Sequence, residues 1–140
     1  MLTSPPEMKF VMSLSALHTK VLKRVDGQLS IHGISFTEYM VLYHLSGAPN
    51  KTMRRIELAE SIGISASGVT RLLAPMEKIH LVEKEANPRD ARVSLVKLSK
   101  KGTRLFRDAT VGVEQAAESL MEPLNAKQLD KLLELTERLL

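Results

Sequence analysis

Two groups of polar and basic side chains in the middle of the chain have the chemistry to contact nucleic acid. The first group, spaced along one predicted helix, comprises Ser65, Ser67, Thr70 and Arg71. The second group, in a predicted hairpin, comprises Arg89, Asp90 and Arg92. Hydroxyls suit phosphates or base edges, and the planar guanidinium of an arginine can bond a guanine edge in two places. We therefore expect Arg71 to make the most specific contact, and Arg54 and Arg55 to contact phosphates.

Each of these residues also has a purely structural interpretation. Ser67 could add to the cap of its helix, and Thr70 could bond back to a carbonyl of the preceding turn. Arg71 could form a surface salt bridge with Glu77 or another neighbour. The two oppositely charged residues of the hairpin could pair with each other without touching DNA. The sequence leaves these alternatives open.

The residues around the first group have the spacing of a helix-turn-helix. Ala59 is small enough to let two helices cross closely, and Gly63 permits the left-handed backbone of a tight turn. Val69 packs the second helix onto the first, and Ser65 is a good N-cap for that second helix. The small core between the two helices is completed by Leu58, Ile62, Ile64 and Leu72.

Two short β-like runs follow, over residues 81–85 and 92–98. The polar loop between them, residues 86–91, contains a proline and two turn-forming residues. A helix-turn-helix followed by a basic hairpin is a winged helix, and we expect it to occupy residues 35–102.

Amphipathic helices are predicted on both sides of this unit. Apolar residues at intervals of three and four predict a long first helix that ends before Gly33. Helices three and four should cover about residues 53–62 and 65–79. Capping signals for the other helices are Ser35 with Glu38, Ser99, and Asn125 with Gln128. The expected fold is therefore mainly α with a small β wing.

The first and last helices carry more apolar surface than one small winged helix can cover. The economical arrangement is that residues 1–34 and 103–140 form a dimerisation region and bury these faces against a second copy. The alternative is a monomer whose terminal helices fold back onto their own winged helix.

The charge distribution supports contact with DNA. The chain has 140 residues, a net charge of +4 and a pI of about 9.5. Residues 51–104 hold 12 Lys and Arg against 6 Asp and Glu, whereas the remainder holds 8 against 10. The basic surplus thus belongs to the predicted winged helix, where phosphate contact would require it.

Several other classes of function lack the residues they need. The chain has no cysteine, which excludes disulfides and thiolate sites, and its four histidines form no pair at metal-binding spacing. We find no glycine-rich phosphate loop and no recognisable catalytic frame, so we expect neither an enzyme nor a metal or cofactor site. No signal peptide and no apolar run of about 18 residues is visible, so a cytoplasmic location without a membrane partner is expected.

The chain resembles the MarR family of bacterial transcription regulators nearly from end to end. The matching segments are Leu58-Ala59, Gly63-Ile64-Ser65, Val69-Thr70-Arg71-Leu72-Leu73, Glu77-Lys78, Leu81-Val82, Asp90-Ala91-Arg92 and Leu98-Ser99-Lys100-Lys101-Gly102. The last two segments form the most specific pair, because many families share a helix-turn-helix.

The resemblance implies a homodimeric regulator, usually a repressor, that binds a pseudo-palindromic site on double-stranded DNA. It implies that Arg92 enters the minor groove while Asp90 orients it. It also implies a small-molecule effector pocket where the dimerisation helices meet the winged helix. Candidates to line that pocket are Met12, His18, Tyr39 and Tyr43, although these residues could equally be core.

Three residues depart from the family pattern. His80 stands where a glycine usually ends the recognition helix, although a left-handed backbone is expected there. Ala91 replaces a residue that is often charged, so the wing has one fewer contact to offer. Pro75 lies inside helix four, where it removes a backbone donor and should bend the helix. Two further functions remain open: a winged-helix module that binds protein, and a nucleoid-type protein that binds DNA without sequence preference.

Overall fold

The computed structural model describes residues 3–140 as six α-helices around a three-stranded antiparallel sheet. The helices are α1 Pro6–Leu29, α2 Phe36–Gly47, α3 Arg55–Ile62, α4 Ala66–Lys78, α5 Lys100–Met121 and α6 Ala126–Leu139. The strands are β1 Thr52–Arg54, β2 Val82–Ala86 and β3 Ser94–Leu98, in the order β1-β3-β2. Short 3₁₀ turns, Ser30–His32 and Pro49–Lys51, follow α1 and α2. The predicted fold, mainly α with a small β wing, is confirmed.

Local capping chemistry sets the ends of most helices. Complete capping boxes open α2, at Ser35 and Glu38, and α6, at Asn125 and Gln128, as the sequence predicts. Ser99 accepts a hydrogen bond from the backbone N–H of Gly102 and opens α5. These side chains satisfy backbone donors that a helix end otherwise leaves unpaired.

Left-handed residues end α3 and α4. Gly63 has φ +81°, and the N–H of Ile64 reaches back to the carbonyl of Ala59. His80 has φ +65°, and the N–H of Leu81 reaches the carbonyl of Met76 in the same way. Both ends are Schellman motifs, so a histidine occupies the position at which glycine is favoured. Helix α4 itself continues through Pro75 to Lys78.

Two predicted boundaries were wrong, the first because of strand pairing and the second because of a side-chain hydrogen bond in the wing loop. Residues 52–54 do not begin helix three but form β1, which pairs with residues 95–97 of β3. The last strand begins at Ser94 instead of residue 92, because the backbone N–H of Arg92 bonds the side chain of Asp90. The wing loop is therefore longer than predicted and runs from Asn87 to Val93.

One core holds the winged helix to the C-terminal turns of α1 and to α5. Fully buried side chains come from every layer, including Leu29, Leu42, Leu58, Leu73, Met76, Leu81 and Val96. The first turn of α5 lies directly on the start of β2, and a β-carbon at Gly102 would collide with the carbonyl of Leu81. This close approach explains the glycine in the segment Leu98-Ser99-Lys100-Lys101-Gly102. The core thus fixes the wing relative to the helices that flank it.

Candidate DNA-binding surface

The N-terminal turns of α4 present an exposed row of hydroxyl and guanidinium groups. The hydroxyl of Ser65 caps the helix by accepting the N–H of Gly68 at 3.0 Å, and the hydroxyl of Ser67 lies 3.2 Å from that of Ser65. Thr70 donates to the carbonyl of Ala66 at 3.2 Å, which is the structural alternative considered for this residue. A hydroxyl that donates to its own helix can still accept a bond on its outer side.

Arg71 lies on the same helix face as Ser67, one turn further on, and is exposed. Within residues 3–140 Arg71 forms no salt bridge. Glu77, which the sequence suggested as its alternative partner, is paired with Arg55 instead. The guanidinium of Arg71 is thus available to a partner outside the chain.

Arg55 has a structural role that the sequence did not suggest. Its guanidinium forms a salt bridge with Glu77 of α4 and donates to the hydroxyl of Ser94 at 3.0 Å. The side chains of Arg55 and Glu77 are only 15% and 25% exposed. Arg55 therefore links α3, the recognition helix α4 and the start of β3, whereas neighbouring Arg54 is half exposed and lies 3.7 Å from Glu57.

The wing loop holds Arg92 by a local pair of bonds. The side chain of Asp90 accepts the backbone N–H of Arg92 at 3.0 Å and its Nε at 3.2 Å. These two bonds lower the pKa of Asp90 below its usual value, so the carboxylate stays charged. The side chain of Arg92 is 91% exposed, and its Nη2 also donates to the second carboxylate oxygen of Asp90 at 3.4 Å. Asp90 thus orients the base of an arginine whose end projects into solvent.

A cavity of about 340 Å³ separates the recognition helix from the wing. Its lining includes Arg54 and Arg92 at the rim, with Val69, Thr70 and Ser94 between them. Arg89, the other basic residue of the wing loop, is exposed. Its backbone N–H donates to the side-chain oxygen of Asn87 at 2.9 Å. Of the predicted residues, the structure thus brings Thr70 of α4 and Arg92 of the wing to one cavity, together with Arg54 and Arg55. The other predicted residues lie outside its lining: Ser65, Ser67, Arg71, Arg89 and Asp90.

The four residues proposed for an effector pocket do not line one cavity within this chain. His18 lines a cavity of about 280 Å³ together with Phe36 and Met40 of α2. Tyr39 is buried against Phe106 and bonds the hydroxyl of Thr110 at 2.8 Å. Burial raises the pKa of the Tyr39 phenol.

The geometry of α2 explains why the effector-pocket candidates lie apart. Tyr43 follows Tyr39 by one turn and lines a separate cavity beside Phe106, and Met12 is an exposed residue of α1. Adjacent helix positions diverge by about 100° at 3.6 residues per turn. Phe36 and Met40 therefore face α1, whereas the two tyrosines face α5.

The terminal helices leave long apolar faces uncovered. No residue of α6 is buried. The exposed apolar residues of this helix and the C-terminus are Leu132, Leu133, Leu135, Leu139 and Leu140, and those of α1 are Met8, Phe10, Val11, Met12, Leu14 and Leu17. Soluble monomers rarely expose a contiguous apolar surface of this extent. Within residues 3–140, the first half of α1 and the whole of α6 thus leave apolar side chains that the winged helix does not cover.

Residues 3–140 contain no cluster of three or more side chains that could hold a metal ion. In the same range, no helix combines the length and apolarity that crossing a membrane requires.

Two residues of the surface, Glu77 and Ser94, were missed at the sequence level. The segment Glu77-Lys78, which matches the family pattern, drew attention to Glu77. Its role could not be predicted, because its partner Arg55 lies 22 positions away along the chain.

Comparison with known proteins agrees with the geometry. Residues 32–93 match the model of the MarR family. The transcriptional repressor MprA of Escherichia coli is 25% identical over 137 residues, which cover 96% of this chain and 78% of MprA. The crystal structure of Sco3205, a MarR family transcriptional regulator from Streptomyces coelicolor in complex with DNA, superimposes with a TM-score of 0.86 at 24% identity and covers 99% of this chain and 88% of that one. CouR from Rhodococcus jostii, bound to p-coumaroyl-CoA, gives a TM-score of 0.82 at 21% identity over 93% of this chain and 90% of CouR.

Proposed function

We propose that this chain is a member of the MarR family of transcription regulators and acts as a homodimeric repressor that binds a pseudo-palindromic DNA operator. The observation that carries the proposal is that Thr70 of α4, the neighbour of the exposed Arg71, and Arg92 of the wing line one cavity. Arg71 lies on the first turns of α4, and Arg92 is aimed outward from the wing by Asp90. A helix in the major groove and a basic loop in the adjacent minor groove use these two positions.

The residues proposed to contact DNA divide by the part of the duplex that each element reaches. In the major groove we place Ser65, Ser67, Thr70 and Arg71, and at the minor groove Arg89 and Arg92, with Asp90 in a supporting role. Arg54 is the candidate for a phosphate contact ahead of α3. Arg55 supports the surface through Glu77 and Ser94, since its guanidinium is engaged inside the chain.

The proposed dimer is formed by residues 1–34 and 103–140, with residues 35–102 as the DNA-binding domain. Its support is the exposed apolar face of α6 and of the first half of α1. Two copies related by a two-fold axis would present their α4 helices to half-sites about one helical turn apart, or about 34 Å. MprA is a repressor, and we extend that role to this chain.

We also propose that a small molecule modulates this regulator. CouR binds p-coumaroyl-CoA. In this chain the cavity beside His18 lies between α1, α2 and the turn after α3, where a ligand would press on the helix-turn-helix. A regulator of this kind has no catalytic role, and it would act in the cytoplasm, where bacterial DNA lies.

The test is binding of Arg71→Ala and Arg92→Ala to a panel of operator variants, with the operator obtained by selection from a random duplex pool. A bidentate base contact is worth about 1–3 kcal/mol of discrimination. Arg71→Ala should therefore relax the preference at one position in each half-site. Arg92→Ala should weaken all complexes and reduce the preference for A·T-rich flanks, because minor-groove readout is degenerate.

Each alternative has a distinct outcome in the same experiment. A nucleoid-type protein would yield no consensus from the random pool, and Arg71→Ala would then lose affinity equally on every duplex. A protein-binding winged helix would retain no duplex at all. Either result would remove the proposed function.

A further inference from the structure

The basic residues of segment 51–104 lie on more than one surface. Some lie on the operator-facing side described above. Four others, Lys97, Lys100, Lys101 and Arg104, line a separate groove of about 490 Å³ at the base of the wing, together with His80 and Glu83. We infer that this groove, here called the wing-base groove, binds the phosphate backbone of duplex DNA that flanks the operator. The inference rests on the proposed DNA-binding function.

The wing-base groove has a fixed frame. The hydroxyl of Ser99 donates to the carbonyls of His80 and Leu81, and the Nζ of Lys101 donates to the carbonyl of Ile79 at 2.8 Å. Gly102 lets the first turn of α5 lie directly on the backbone of Leu81. The end of α4, the start of β2 and the start of α5 are thus held together, so the cations stand on a rigid support.

The charge of the wing-base groove is only partly compensated within residues 3–140. None of its four cations forms a salt bridge in the described range 3–140. Glu83 stands opposite Lys97 across the hairpin and offsets one charge. Lys100 and Lys101 occupy the first turn of α5, which contains no acidic residue. Cations at a helix N-terminus are repelled by the helix dipole, so an external anion would relieve that repulsion.

Continuity with the wing argues for DNA as the anion. Lys97 lies on β3, the strand that leads away from the wing loop containing Arg92. The four steps from Ser94 to Leu98, at about 3.4 Å each, carry this strand roughly 14 Å from the wing loop to the wing-base groove. A straight duplex held at the tip would pass the groove by, whereas a flank that bends toward the protein would reach it. Protein-induced bends of about 40–90° are common in DNA complexes.

The test compares two duplexes that share the operator obtained by selection. The short duplex contains the operator alone, and the long duplex adds about two helical turns, or roughly 20 base pairs, of scrambled sequence on each side. The variant is Lys100→Gln/Arg104→Gln, which keeps Lys101 and its bond to α4. The matched control is Lys78→Gln/Lys84→Gln, which removes the same charge from exposed positions of the winged helix that line neither cavity.

Wild type should bind the long duplex more tightly than the short one, with a steeper dependence on salt. Each lost phosphate contact lowers the magnitude of the slope of log K against log salt by about 0.9. On the long duplex alone, the slope of the doubly substituted variant should therefore fall by about 2 for each protomer. Energy transfer between dyes at the ends of the long duplex should show bending with wild type and the control, but not with the variant.

Three outcomes would overturn the inference. The variant could keep the wild-type ratio of affinities for the two duplexes, or the control could lose the ratio equally, which would indicate net charge alone. Sedimentation could also show two long duplexes for each dimer, which would mean that the wing-base groove captures a second DNA molecule. In all three cases binding to the short duplex persists. Loss of the proposed function is distinguishable, because wild type would then bind no selected duplex.

Discussion

Replacing Glu77 by glutamine should destabilise the winged helix through Arg55. The guanidinium of Arg55 is 15% exposed and relies on Glu77 as its carboxylate partner. Removing one partner of a fully buried ion pair costs about 3–5 kcal/mol, because the other charge is left uncompensated. Residual exposure of both side chains and the remaining bond to Ser94 reduce this cost. We expect the free energy of unfolding to fall by about 2–3 kcal/mol.

Urea denaturation at fixed protein concentration measures this change, since the stability of a dimer depends on concentration. The matched control is Glu57→Gln, which breaks a pair at 3.7 Å between side chains that are half exposed. That control should cost no more than about 0.5 kcal/mol. The double variant Arg55→Met/Glu77→Leu should cost less than the sum of its single substitutions, because apolar side chains replace both charges.

A loss of less than about 0.5 kcal/mol for Glu77→Gln, equal to the control, would refute the reasoning about a buried ion pair. The DNA-binding measurements provide an independent check on the role of Arg55. If Arg55→Met, once folded, lowers the salt slope by about 0.9, then Arg55 contacts a phosphate and its assignment as an internal support is wrong. Arg54→Met should lower that slope.

Packing and backbone geometry support three further predictions. Gly102→Ala should destabilise the chain by about 2 kcal/mol through overpacking, because its β-carbon would collide with the carbonyl of Leu81. Gly27→Ala, whose β-carbon has open space inside α1, should instead stabilise the chain by about 0.5–1 kcal/mol, and equal thermal shifts for the two variants would contradict this. His80→Gly should raise the free energy of unfolding by about 1 kcal/mol, because a left-handed backbone strains a residue with a β-carbon; an unchanged urea midpoint would argue against strain. Leu132→Asp/Leu139→Asp should shift the mass measured by light scattering from that of two chains toward the 15.6 kDa of one, and a wild type that is already monomeric would remove the dimer.

Features that depend on neighbouring residues could be predicted from the sequence. The capping boxes at Ser35 and Asn125 join residues three apart, and the Asp90–Arg92 pair joins residues two apart. The apolar periodicity predicted the helices, and the left-handed turn at Gly63 predicted the helix-turn-helix. These features follow from short-range geometry, which is the same wherever the segment occurs.

Features that join distant segments were decided by the tertiary structure. Strand β1 pairs with β3, a strand that lies beyond α3, α4 and β2 in the chain, so residues 52–54 became a strand despite a helical pattern. The sequence predicted that Arg55 contacts phosphates, because its two partners within the chain are far away in sequence. Glu77 and Ser94 reach Arg55 only after α4 and β3 have packed on α3.

The basic surplus of residues 51–104 was counted as one surface in the sequence. In the folded chain four of its cations line the wing-base groove, apart from the operator-facing side. Composition gives the total charge of a segment. The direction in which each charge points is set by the core beneath it, here by the approach of Gly102 to Leu81 and the salt bridge between Arg55 and Glu77.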